Sequence, residues 1–145
     1  MVQPDPHNLQ RFVDAQKGVI DRALSELQAG SKQSHWMWFV FPQLDGLGRS
    51  ATAKFYAIRS VDEARAYLKH PILGPRLREC VAALQWWAGE RSAEEIFGSV
   101  DLMKLKSSLT LFDRIEPESI FQTALLNFFR GDRDEHSLAL LLRQR

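Results

Sequence analysis

The residues best suited to chemistry lie in one short segment, Ser34 to Arg49, which reads SHWMWFVFPQLDGLGR. His35 carries an imidazole, which can cap, pair or act as a general acid or base. Gln43 offers a directional amide. Arg49 presents the planar fork that suits a carboxylate or phosphate. Around them stand Trp36, Trp38, Phe39 and Phe41, flat faces on which an aromatic or heterocyclic ring could stack. A second segment, Lys104 to Phe112, places Lys106, Ser107, Ser108 and Thr110 on an otherwise apolar helix, where a row of donors could hold an anion. Taken together, the two segments predict a pocket for a flat, anionic small molecule such as a nucleotide or related metabolite. Its ligand-binding residues would be Trp36, Trp38, Gln43, Arg49, Lys106, Ser107 and Ser108, with His35 as the acid or base if catalysis follows binding.

Between the aromatic residues and Tyr56 runs the loop Pro42-Gln-Leu-Asp-Gly-Leu-Gly48. Pro42 stops a helix, while Gly46 and Gly48 admit unusual backbone angles and close approach of another group. Ser50 reads as the cap of a new helix, and free amides beside Arg49 would favour an anion. The glycines form neither a phosphate-binding Walker loop nor a dinucleotide fingerprint, since both need a preceding strand. Each of these features has a plainer reading as well. Single aromatics are more often core than platform, surface arginines are common, a lone histidine is more often structural than catalytic, and the Lys104 to Phe112 face could be merely solvated.

Other chemistries are poorly supplied. His7, His35, His70 and His136 are scattered without metal-ligand spacing, and HExxH, paired cysteines and GxSxG are all missing, so neither a metal nor a cofactor is expected. Lysine and arginine number 19 against 18 acidic residues. No large field therefore draws the chain to a nucleic-acid polymer or an anionic lipid surface. The single cysteine, Cys80, falls on the apolar stripe of Leu77, Val81 and Leu84 and reads as a small core residue. The longest apolar run, Trp36 to Phe41, is too short to span a bilayer, and MVQPDPHNLQRF lacks the features of a secretory leader, so the expected location is cytoplasmic.

The elements that must position these residues are helical. With 145 residues, 45% of them hydrophobic and 26% charged, the chain suits a single domain over 1–145 with one core. Leu9, Phe12, Val13, Gln16, Val19, Ile20, Ala23, Leu24 and Leu27 predict one amphipathic helix ending at Gly30. Ser60 with Glu63, and Ser92 with Glu95, have capping-box spacing, and Pro71, Gly89 and Gly98 punctuate the chain between further helical stripes. Leu102, Leu105, Leu109 and Phe112 mark another helix. Ile120 to Phe129, closed by Gly131, and a last helix from about Asp134 complete the pattern. No convincing strand is present, so the expected fold is all-α: a compact bundle or short stack of about seven helices.

Several motifs occur in an order that resembles a known family: SHWMWFVFPQLDGLGRS, then FYAI from Phe55, EARAYLKHPILGPRLREC, IFG from Ile96 and KLKSSLTLF. They resemble the bacterial family called domain of unknown function 1810, over about Leu9 to Leu141. The resemblance implies a small all-helical protein without an established activity, and supplies no catalytic residues to carry over. A calpastatin-like label attached to some members implies a disordered protease inhibitor, which this evenly hydrophobic chain does not resemble physically. Two other functions stay open beside small-molecule binding. One is a nucleotide-processing hydrolase or transferase using the same pocket; the other is an interaction module whose exposed tryptophans dock a partner protein. Burial of Trp36, Trp38 and Trp86 and a cleft beside Lys106 are the features that separate them.

Overall fold

The computed structural model describes residues 4–143, and among these the chain forms nine helices and no strand. In order they are α1 (Gln10–Gln16), α2 (Ile20–Gln28), α3 (Met37–Val40), α4 (Ala51–Phe55), α5 (Val61–Lys69), α6 (Leu73–Gln85), α7 (Ala93–Ile115), α8 (Ile120–Phe129) and α9 (Glu135–Leu142). The all-helical expectation holds, with more and shorter pieces. The single helix expected over 9–27 is two, because the chain turns at Gly18, where φ is 74°. The turn sends the two halves to different partners: α1 lies on α3, and α2 on α6. Buried Gln16 braces the corner, its amide nitrogen donating to the Phe39 carbonyl at 2.7 Å. An unbroken apolar period cannot show that its two halves pack against different elements.

Caps fall where side-chain oxygens can meet orphan amides. Ser50, Ser60, Ser92 and Asp134 accept from the backbone of Ala53, Glu63, Glu95 and Ser137. Ser92 and Glu95 complete the reciprocal box expected of them. Ser60 and Glu63 do not: the Glu63 carboxylate turns instead to the Arg59 amide at 3.1 Å and to the buried guanidinium of Arg11 at 2.7 Å. A buried cation must be neutralised, and that demand outweighs the return half of a capping box. Within α7, Gly98 adopts φ 85° and ψ 164°, a conformation essentially reserved for glycine, and kinks the element where the sequence places a stop.

The longest helix, α7, is the central post, packed on α5, α8 and α9. Phe12, Tyr67, Phe112 and Phe121 run through the core as a chain of ring contacts, with centroids 5.1, 5.4 and 5.7 Å apart. Cys80 is buried, and burial pushes its thiol up to about 12, so it behaves as the inert core residue expected. None of the described helices is long and apolar enough to cross a membrane. A non-helical pairing ties the chain after α3 to the chain after α4. Leu44 and Ile58 form an isolated parallel bridge, with Asp45 N donating to Ile58 O at 2.8 Å and Ile58 N to Gln43 O at 2.9 Å. Those bonds close the base of a loop whose arc carries Gly46, Gly48, Arg49 and all of α4.

Candidate ligand-binding cleft

The floor under the SHWMWFVF segment is set by a carboxylate that sequence reasoning missed. Glu26, on α2, accepts from Gln33 N at 2.8 Å, Ser34 N at 3.0 Å, Ser34 Oγ at 2.6 Å and Trp36 Nε1 at 2.9 Å. Burial pushes this carboxyl up, but the four donors together outweigh it and hold it down to about 2. The chain entering α3 is thereby pinned. Trp36 is turned fully inward against Phe41 and Phe97, while Trp38, two residues on, is carried round to the other side and stays half-buried.

Trp38 opens into a cleft of about 460 Å³. The loop closed by the Leu44–Ile58 bridge forms one wall through Gln43, Leu47, Gly48, Arg49 and Ser50, with Ala53 of α4 behind them. Gly48 is required by contact: a Cβ there would lie 2.4 Å from that of Ala53. The opposite wall is one stripe of α7, Val100, Met103, Lys104 and Ser107, whose spacing of i, i+3, i+4 and i+7 puts them on a single helical face. Asp134 and His136, at the start of α9, close the end. The cleft thus gathers an aromatic ring, two basic side chains, an amide, hydroxyls and an apolar rim in which Val100 is 74% exposed.

Three charged groups order the floor beside Trp38. Lys32 Nζ pairs with Asp101 Oδ2 at 2.8 Å and donates to Ser34 O at 2.7 Å. Lys104 Nζ reaches Asp101 Oδ1 at 3.3 Å and lies 4.4 Å from the centroid of the Trp38 ring. One carboxylate serves two ammonium groups, leaving an excess of positive charge at the wall of the cleft. α9 is anchored to α7 by polar contacts: Asp134 N donates to Thr110 Oγ1 at 2.9 Å, and Arg133 Nε to Asp113 Oδ2 at 2.8 Å.

Of the residues expected to bind ligand, Trp38, Gln43, Arg49 and Ser107 meet in this cleft. Trp36 is core. Ser108 is buried in α7, its hydroxyl without a hydrogen-bond partner among the described residues. Lys106 points to a neighbouring depression with Arg133 and Glu135, its ammonium 5.8 Å from the Phe129 ring. His35 is exposed and does not line the cleft. The face from Lys104 to Phe112 is not solvated: Ser107, Ser108 and Thr110 are all buried. The hydroxyls of Ser107 and Thr110 donate to the carbonyls of Met103 and Lys106. Lys104 was missed although helical spacing could have found it. Lys106, Ser107 and Ser108 are consecutive and spread over some 200° of the helix, whereas Lys104 and Ser107 share a face. Asp134 and His136, distant in sequence, left no such signal.

An all-helical fold with a cationic, aromatic-sided cleft is the class this architecture defines. The chain belongs to the family described as protein of unknown function DUF1810, whose family model matches residues 6–141. Its fold is similar to the crystal structure of the conserved hypothetical protein Rv1873 from Mycobacterium tuberculosis, at 49% identity and a TM-score of 0.92, covering 95% of this chain and 99% of that one. No curated protein matches the chain.

Proposed function

We propose that the protein binds a flat, anionic small molecule, a nucleotide or a related metabolite, in the cleft between the 43–53 loop and the Val100 to Ser107 face of α7. The observation that carries this reading is convergence. Trp38, Gln43 and Arg49 from one segment meet Lys104 and Ser107 from another more than fifty residues away, around a cleft of about 460 Å³, a volume within the usual range for small-molecule sites. Trp38 offers a stacking face, Arg49 and Lys104 the charge, and Gln43 a directional hydrogen bond. α4 has only five residues, so its dipole adds little and the anion falls to the side chains.

A thermal-shift screen against nucleoside phosphates and sugar phosphates tests it. A ligand at a hundredfold over its Kd stabilises the native state by about 2.7 kcal/mol. The expected result is a shift with a nucleoside phosphate that Arg49→Ala and Lys104→Ala both reduce. No shift from any of these anions, or equal shifts in the variants, overturns the reading.

A nucleotide-processing hydrolase or transferase using the same cleft is a second reading, favoured by His136 and Asp134 in its end wall. In it His136, rather than His35, is the group placed to exchange a proton with a bound ligand. Turnover of a nucleoside phosphate, abolished by His136→Ala without loss of folding, is its test. The interaction-module reading rests on Trp86 alone, which is 80% exposed.

A further inference from the structure

Two lysines share Asp101, and they are held very differently. Lys32 is enclosed, its side chain 7% exposed, with a short ion pair, a backbone acceptor and the Trp36 ring 5.0 Å away. Lys104 has only a stretched ion pair of 3.3 Å and the face of Trp38. Asp101 does not depend on Lys104 for neutralisation, because Lys32 supplies it at 2.8 Å. Lys104 is also less enclosed than Lys32, its side chain 22% exposed and lining the open cleft. Its ammonium therefore covers an aromatic face that a flat ligand would use, through contacts that one anion could replace.

We propose that Lys104 is an anion-responsive latch on Trp38, which makes the cleft selective for ligands that carry a flat ring and an anionic group together. This rests on the ligand-binding reading above. Without an anion, the ammonium lies over the indole and competes with stacking. An anion seated beside Arg49 draws Lys104 off the ring, so that the charged group and the ring of the ligand assist one another. A neutral flat molecule must displace the cation unaided, and a bare anion gains nothing from the ring it exposes. Because binding at two places is coupled through one side chain, the assistance is reciprocal.

Calorimetric titration with adenosine, inorganic phosphate and adenosine monophosphate, at matched ionic strength, separates the parts. Phosphate is expected to tighten adenosine binding about two- to five-fold in the native protein, the lower part of the range for displacing a cation from an aromatic face. Lys104→Met should bind adenosine more tightly than the native protein without phosphate and lose the phosphate effect. Lys104→Arg, whose guanidinium stacks on indole more strongly, should bind adenosine more weakly. The change in tryptophan emission on adding phosphate should vanish in Trp38→Phe. If the monophosphate binds but phosphate leaves adenosine affinity unchanged, or Lys104→Met weakens adenosine, the latch is wrong and the cleft reading stands. If none of the three probes binds, both fall.

Discussion

The indole N–H of Trp36 donates to Oε1 of Glu26 across 2.9 Å, a bond between an inward-facing ring and a carboxylate on the neighbouring helix α2. It decides how the aromatic segment is divided. With Trp36 held in the core, the turn of α3 delivers Trp38 to the cleft, so a residue on α2 that touches no ligand sets the orientation of the residue proposed to stack on one.

Glu26→Gln should therefore destabilise the protein by about 2 kcal/mol at neutral pH, since the donors around it would face a side chain that can no longer accept from all of them as an anion. The Glu26 carboxyl sits at about 2 in the folded protein against an ordinary 4.5. A depressed folded value means that the stabilisation is complete above the unfolded value and is lost as pH falls from 4.5 towards 2. Denaturant titrations of the native protein and the variant should show a gap at pH 7 that narrows across that window. A gap that is constant with pH would contradict the assignment.

Arg11 and Glu63 form a second charged anchor, buried at 2.7 Å, in which the guanidinium also donates to the carbonyls of His7, Asn8, Phe55 and Ala57. Glu63→Ala leaves a buried cation uncompensated and is expected to cost about 3–5 kcal/mol, a fall in Tm on the order of 10 °C. The double variant Arg11→Met with Glu63→Leu removes the uncompensated charge but orphans the four carbonyls and the Arg59 amide, so it should recover only part of that loss. Thermal unfolding of the three proteins checks both statements.

Trp36 and Trp86 are chemically identical and should behave oppositely. Trp36 is fully buried, whereas Trp86 is 80% exposed. Trp36→Ala is expected to cost about 3–5 kcal/mol, and Trp86→Gln to change stability by less than about 0.5 kcal/mol. Equilibrium denaturation of each measures the contrast.

Arg49 and Lys106 divide in the same way with respect to ligand. Arg49 lines the cleft, and Lys106 lines the depression beside it. For any nucleoside phosphate that binds, Arg49→Ala should weaken affinity about tenfold, as loss of a charge-assisted bond does, while Lys106→Ala changes it less than about twofold. Titration calorimetry on the pair tests the geometry; comparable losses would mean that Lys106 reaches the bound anion.

Much of the fold was legible residue by residue. Ser50, Ser92 and Asp134 announced their helices because a cap is a local matter, settled within three residues. The Gly98 break was legible because a backbone at φ 85° admits little else. The division at Gly18 was not, since it depends on which neighbour each half packs against. Nor was the half-made capping box at Ser60, because the group that diverts Glu63 lies on α1.

By itself the sequence determined an all-helical chain, most of its boundaries and the two segments that face one another. Periodicity and capping are short-range physics, and adjacent residues are enough to express them. Only the tertiary structure decided which members of those segments share a cleft. It turned Trp36 inward through Glu26, replaced Lys106 by Lys104 as the cation beside Trp38, left His35 outside, and brought His136 and Asp134 from the start of α9 to the end wall. A site is a convergence of side chains in space, and the rotation of each helix about its axis is set by the packing of residues far away in the chain.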